Sequence, residues 1–162
     1  MDQYLKSKII PYKGIETFSF GKTLAEVRAE LKERKVHFNQ STDPHKGCTP
    51  EIPWTFISIF DSITLCFVED ILFEIVLENK YEGKLGNGIG IGTSLKDVES
   101  ADYTIKYNED DEDYISEAGY WFEIDPDTDK VSSITVYVPE ADDSTLFFKY
   151  EWIEKYRDGY LN

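Results

Sequence analysis

At 162 residues, with 41% apolar and 15% aromatic side chains, the chain fits a single folded domain over residues 1–162. No apolar run reaches the roughly 18–20 residues of a membrane helix, and the first residues lack the apolar core of a signal peptide, so we expect a cytoplasmic protein with no membrane partner. The formal net charge of −15 argues against nucleic acid as a partner, because phosphates would be repelled.

The negative charge is concentrated in the second half of the chain. Residues 1–80 hold 10 Lys and Arg against 12 Asp and Glu, a net charge of −2. Residues 81–162 hold 7 against 20, a net charge of −13. Such a field attracts a cationic partner. The alternative is that the charge only keeps the protein soluble.

An internal repeat organises the chain. FSFGKTLAEV at residues 18–27 matches IGIGTSLKDV at residues 89–98, position by position and without a gap. Each copy has a glycine and then a hydroxyl-x-x-acid capping box, Thr23 with Glu26 in the first and Ser94 with Asp97 in the second. The apolar spacing predicts a helix near 23–35 and a second helix of about two turns after Ser94.

Runs rich in aromatic and β-branched residues predict strands downstream of each helix. In the first copy these are Trp54–Phe60 and a hairpin of Ile63–Val68 with Leu72–Leu77, turning at Glu69 and Asp70. In the second they are Tyr103–Tyr107 and a hairpin of Gly119–Ile124 with Ser132–Val138, turning through DPDTDK. Asn39–Pro50 and the acidic Asn108–Asp113 are predicted to be loops.

The pattern predicts an α+β fold, an antiparallel sheet built from two helix-plus-β-meander repeats with the helices packed on one face. The repeats span approximately residues 9–80 and 81–140, and residues 141–162 close the domain. Apolar residues at helical spacing between Ser144 and Arg157 favour one closing helix. A strand at Leu146–Tyr150 followed by a shorter helix is the alternative.

The glycine-rich stretch GNGIGIG, residues 86–92, invites comparison with phosphate-binding loops. Its spacing differs from the dinucleotide fingerprint, and it lacks the Gly-Lys-Ser/Thr ending of a Walker loop. Gly21 occupies the place of Gly92 in the first copy without a glycine-rich lead-in. Turn geometry before a helix is therefore the favoured interpretation of both glycines.

Two groups of residues suggest metal ligands. Asp125-Pro126-Asp127-Thr128-Asp129 begins like a calcium loop, but Lys130 and Val136 stand where that loop needs a glycine and a bidentate acid, which favours an ordinary turn. His45 and Cys48, with His37 and Cys66, offer zinc or thiol chemistry only at scattered spacing. Free thiols are expected, although one Cys48–Cys66 bridge is possible.

No catalytic motif occurs, so we expect no enzyme activity, no cofactor and no metal. A domain that binds a small molecule or a metal (Ca or Zn), using the glycine-rich loop, the DPDTD turn or the His/Cys set, remains the alternative. The remaining feature is the acidic run Glu109–Asp113 with its neighbouring aromatic residues, which suits a partner-binding surface.

The opening segment adds a family resemblance. Ile9, Pro11, Gly14 and Ile15, then Phe18, Phe20 and Gly21, then Leu24 and Val27, resemble the start of bacterial immunity proteins of polymorphic or contact-dependent growth-inhibition toxins. The repeated helix-plus-meander unit is also similar to β-lactamase inhibitory protein. The first resemblance covers only the stretch from Ile9 to Leu31, and the second copy lacks the Ile-x-Pro lead-in.

The resemblance implies an immunity protein that inhibits a cognate toxin domain by occlusion. The toxin is expected to be a nuclease, whose active site is basic because it binds phosphates. Acidic side chains of the immunity protein would take the place of the nucleic-acid backbone. The partner-binding residues this implies are Glu109, Asp110, Asp111, Glu112, Asp113, Tyr114, Asp125, Asp127 and Asp129. The oligomeric state is left open.

Overall fold

The computed structural model describes residues 2–44 and 52–158. Its helices are α1 (Asp2–Leu5), α2 (Leu24–Glu33), α3 (Leu95–Ala101), α4 (Ser144–Phe147) and α5 (Ile153–Arg157), with a 3-10 turn at Pro139–Asp142. Within these described ranges, none of the helices has the length and apolar character needed to cross a membrane.

Eleven strands form two antiparallel sheets within the described residues. The small sheet contains β1 (Ile9–Ile10), β2 (Gly14–Ile15) and β3 (Phe18–Ser19), which are the residues of the opening segment. The large sheet contains β4 (Phe38–Asp43), β5 (Trp54–Ile59), β6 (Ile63–Val68), β7 (Ile71–Glu78), β8 (Lys106–Asn108), β9 (Asp113–Ser116), β10 (Tyr120–Asp125) and β11 (Lys130–Tyr137).

The order of the large sheet is β4-β5-β6-β7-β11-β10-β9-β8, so two four-stranded meanders meet where β7 pairs with β11. The α+β class and the antiparallel sheet predicted from the sequence are confirmed. Each meander has one strand more than expected. β4 forms mostly in the segment predicted to be the loop 39–50, and β9 begins at the last residue of the predicted loop 108–113 and continues through residues for which no element was predicted. β4 reads FNQSTD and β9 begins with an acid, and neither has the apolar alternation by which a half-buried strand is recognised.

Both repeat helices begin as their capping signals predict. Thr23 accepts a hydrogen bond from the Glu26 amide while the Glu26 carboxylate accepts one from the Thr23 amide, which completes a capping box. Ser94 accepts from the Asp97 amide, without a reciprocal bond. An aspartate is one methylene shorter than a glutamate, which explains the one-sided cap.

Equivalent backbone hydrogen bonds in the two repeats connect the residues before each helix to the last hairpin of its meander. The Gly21 amide donates to the Leu72 carbonyl at 3.0 Å, and the Gly92 amide donates to the Val131 carbonyl at 2.8 Å. Both glycines have positive φ, 94° and 87°, a conformation that side chains disfavour. The turn-geometry interpretation of these two glycines therefore has a structural basis.

The two faces of the large sheet differ in burial. One row of cross-strand neighbours is almost fully buried, and its members are Ile57, Leu65, Ile75, Val136 and Tyr120. The next row points to the opposite face because side chains alternate along a strand, and its members are Ser58, Thr64, Val76, Thr135, Trp121 and Ile115. We call this second side the open face, because most of that row is half-buried or exposed.

The C-terminal segment packs against one part of the open face through aromatic rings. Phe147 lies with its ring centroid 6.2 Å from that of Trp54 and 5.6 Å from that of Phe73. Instead of one closing helix, the segment forms α4 and α5, separated by Tyr150 at φ 57°. The single-helix prediction was wrong because a left-handed residue interrupts the helical path; the alternative was right about the shorter helix but wrong about a strand.

Candidate functional site

The structure brings the two predicted acidic segments together at one end of the sheet. Residues 109–112 form the turn between β8 and β9, and residues 126–129 form the turn between β10 and β11. Because β9 and β10 are neighbours, these two turns project from the same end, and a shared surface cavity is lined by Asp111, Glu112, Glu123 and Asp125. We call the two turns the acidic tips.

Each acidic tip is held by local hydrogen bonds that leave other carboxylates exposed. Asn108 accepts from the Asp110 amide at 3.1 Å and donates to the Asp111 carboxylate at 3.0 Å. The Asp125 carboxylate accepts from the Asp127 amide at 2.9 Å. This is an Asx turn, the ordinary turn chemistry expected from the sequence.

The eight predicted acids at 109–113 and 125–129 have no ion-pair partner among the described residues. Across residues 2–44 and 52–158, no Lys or Arg forms an ion pair with any of them. Lys106 on β8 lies across from Ile115 on β9 and pairs with Glu117 at 3.8 Å. Lys130 lies across from Asp125 in the β10–β11 hairpin without forming an ion pair with it, so negative side chains outnumber positive ones at the acidic tips.

Asp113 and Tyr114 lie on opposite sides of β9, although the sequence grouped them with the tips. Asp113 is only 7% exposed and shares the open face with Ile115, two residues along the strand. Tyr114 is half-buried on the other side, where its ring stacks on Phe122 with a centroid distance of 5.2 Å. Only Asp113 is thus directed to the open face.

The Asp113 carboxyl is in an unfavourable environment for a charge. Burial raises its pKa above the ordinary value, and the nearby charges of Asp111 and Glu123 raise it further. A hydrogen bond from Asn108 acts in the opposite direction and does not cancel the rise. The Oδ1 atom of Asp113 is buried and has no hydrogen-bond partner.

Two neighbours of Asp113 on the open face, Ile115 and Glu123, were not predicted from the sequence as binding residues, whereas Trp121 is one of the aromatic residues grouped with the acidic run. Trp121 is half-buried and pairs across the sheet with Ile115, which is 40% exposed. Glu123 follows Trp121 by two residues and so lies on the same face. The sequence spacing contains this information. Residues 113 and 115 lie in one strand and residues 121 and 123 in its neighbour, so the alternation of side chains places all four on one face of the sheet once β9 is recognised.

A groove extends this surface toward the C-terminal segment. Its walls include Trp121, Tyr137, Ile115 and Phe148, and the described residues that line it contain the acids Glu74 and Asp142 but no Lys, Arg or His. Phe148 is 41% exposed. The groove thus joins exposed apolar area to negative charge on the open face.

A buried carboxylate network fixes the base of the acidic meander. Asp102, at the end of α3, accepts from the Thr104 hydroxyl at 2.6 Å, from the Ser116 hydroxyl at 2.5 Å and from the Tyr120 hydroxyl at 2.7 Å. Burial alone would raise the pKa of Asp102, but these hydrogen bonds outweigh burial and lower the pKa to about 2. Asp102 therefore ties α3 to β9 and β10, the strands that present the site.

The alternative ligand sites have less support. The cavity at the glycine-rich loop measures about 520 Å³ and is lined by Lys84 and Lys130, two basic residues that sequence spacing did not connect to it, and by Asp97. His45 and Cys48 lie outside the described residues, and Cys66 is buried. Among the residues with assigned structure, no group of three His, Cys, Asp or Glu side chains is arranged to hold a metal.

Comparison with protein-family models and with curated protein sequences finds no match to this chain.

Proposed function

We propose that this protein is an immunity-type inhibitor that acts in the cytoplasm by binding and blocking a basic toxin domain, without enzyme activity of its own. The observation that carries the proposal is the set of tip carboxylates that have no ion-pair partner among the described residues, beside an exposed apolar surface. The opening-segment resemblance and the −2 and −13 charge split support the same function.

The physical argument combines long-range and short-range effects. Acids without ion-pair partners create a field that speeds association with a basic partner and weakens as salt is added. Trp121, Ile115 and Phe148 supply the apolar area that a specific interface needs at its centre. A basic nuclease site fits this description, because it carries the positive charge that binds phosphates.

The test is neutralisation of a defined toxin. We expect the gene immediately upstream to encode a basic toxin C-terminal domain, and the product of that gene is expressed in a host with and without this protein while growth is measured. We expect growth to be restored by the wild-type chain and the purified complex to weaken as NaCl rises from 50 to 500 mM, by about tenfold or more. Growth arrest that persists although both proteins are folded and co-expressed would overturn the proposal.

A second candidate function is the binding of a small anionic molecule at the glycine-rich loop. The observation in its favour is the placement of Lys84 and Lys130 around that cavity. Thermal unfolding with and without nucleotides at about 100 times their dissociation constant would show a stabilisation of about 2.7 kcal/mol for a real ligand. No shift with nucleotide mono-, di- or triphosphates would remove nucleotides as candidates.

A further inference from the structure

We propose that Asp113 and Glu123, with the ring of Trp121 beside them, form a receptor for the guanidinium group of an arginine on the partner. The inference rests on the proposed function, since it names the chemical group by which the acidic surface recognises a basic protein. It goes further by locating the anchor on the sheet rather than at the exposed tips.

The residues converge because of sheet geometry. Trp121 pairs with Ile115 and Phe122 pairs with Tyr114, so one further step in the same register sets Glu123 opposite Asp113. Consistent with this register, the charge of Glu123 raises the pKa of Asp113. Ser133, on the adjacent strand, donates to Glu123 Oε2 at 3.3 Å and helps to position that side chain.

The unsatisfied Oδ1 atom of Asp113 is the independent observation that points to a ligand. A buried carboxylate oxygen without a donor destabilises the folded protein, because its hydration has been lost and not replaced. The charges of Asp111 and Glu123 also disfavour the ionised form of Asp113. A cationic donor supplied by the partner would relieve both costs at once.

Arginine suits the site better than lysine for two reasons. Its planar guanidinium donates two parallel hydrogen bonds to carboxylate oxygens, whereas a lysine ammonium is a compact and strongly hydrated point charge. The guanidinium also stacks on aromatic rings, and Trp121 precedes Glu123 by two residues on the same face. A metal ion is disfavoured, since the acids in the described part of the chain are not arranged as a metal-ligand set.

The direct test uses model peptides. Binding of hexa-arginine and of hexa-lysine to the full chain is measured by titration calorimetry, for the wild type, Asp113→Asn and Glu33→Gln. Both variants remove one negative charge, but Glu33 is an exposed residue of the first half. We expect the wild type to prefer hexa-arginine, Asp113→Asn to weaken hexa-arginine binding about tenfold and Glu33→Gln to weaken it less than about threefold.

Stability provides a second readout on the same variants. Asp113→Asn removes the buried charge, so its thermal midpoint is expected to rise while its hexa-arginine binding falls. A structural role for Asp113 would lower both. Equal weakening by the two variants, or equal binding of the two peptides, would overturn the arginine receptor.

Failure of the arginine receptor can be distinguished from failure of the proposed toxin inhibition. If Asp113→Asn loses hexa-arginine binding but the wild type does not neutralise the upstream toxin, the receptor stands and the toxin assignment falls. If the wild type neutralises the toxin and Asp113→Asn neutralises it equally well, the function stands and the receptor falls.

Discussion

The two halves of the molecule have the same arrangement of helix and meander and differ in the side chains at equivalent positions. α2 and α3 are held to their meanders by corresponding hydrogen bonds, from Leu24 to Asp70 in one and from Leu95 to Asp129 in the other, each at 2.9 Å. Val27 and Val98, which occupy the same place in the two copies of the repeat, are both fully buried. The helix-to-hairpin joint is therefore the common structural element.

The difference begins one helical turn later. Leu31 is fully buried in α2, and its counterpart in the second copy is Asp102, which is buried in a hydrogen-bond network with Thr104, Ser116 and Tyr120. The first half thus uses an apolar contact where the second uses a carboxylate. The second half therefore carries an acidic side chain at a buried position as well as acids on its surface.

Exchanging these two residues should give the largest effect on stability. Leu31→Asp would bury a charge without the three hydroxyl donors that surround Asp102, and we expect a loss of about 4 kcal/mol in the free energy of unfolding. Asp102→Leu would leave those hydroxyls without their acceptor, and we expect a loss of about 3 kcal/mol. Urea denaturation measures both.

Leu31→Met is the matched control, because it nearly conserves volume and should cost less than about 1.5 kcal/mol. If Leu31→Asp were tolerated as well as Leu31→Met, the two halves would not differ in the way the structure indicates.

Low pH should lower the free energy of unfolding by protonating Asp102 in the second half. Its pKa is about 2 in the folded protein against an ordinary value of 3.8, so its contribution is complete above about pH 4 and is lost as pH falls toward 2. The free energy of unfolding should fall by about 2 kcal/mol more in the wild type than in Asp102→Asn over that range. Parallel curves for the two proteins would show that Asp102 is not held as an anion.

Alanine substitutions at Gly21 and Gly92, the glycines before α2 and α3, should differ in their loss of unfolding free energy by a smaller amount. Gly21→Ala and Gly92→Ala each force a side chain into positive φ and should lose about 1–2 kcal/mol. An added Cβ at Gly21 lies 3.2 Å from the Tyr156 ring, whereas at Gly92 it meets nothing within 4 Å. Gly21→Ala should therefore cost about 1 kcal/mol more. Equal losses in urea denaturation would mean that the Tyr156 ring simply moves aside.

Local signals in the sequence predicted the elements that are built from local chemistry. The capping boxes located the starts of α2 and α3, and the hairpin at Glu69 and Asp70 forms with both residues at positive φ. β4 was not predicted because it is a polar edge strand that is stabilised by pairing with β5 and has little apolar pattern of its own. β9 was not predicted because it has only four residues and depends on pairing with β8 and β10 on its two sides.

The candidate site was predicted in part for the same reason. The acidic tips were visible as runs of like charge, and their proximity followed from the meander. The separation of Asp113 from Tyr114 required knowing that a strand starts at residue 113. The burial of Asp113 and its unsatisfied oxygen depend on neighbours from other strands, which sequence spacing does not reveal.

The most direct test of a binding surface in the second half reverses charge in each half and measures the dissociation constant for the proposed toxin domain. Asp110→Lys/Asp127→Lys changes the two acidic tips, and Glu16→Lys/Glu33→Lys makes the same change at exposed positions of the first half. We predict that the tip variant binds about tenfold or more weakly and that the first-half variant stays within about threefold of the wild type. Equal weakening of the two would contradict a binding surface in the second half.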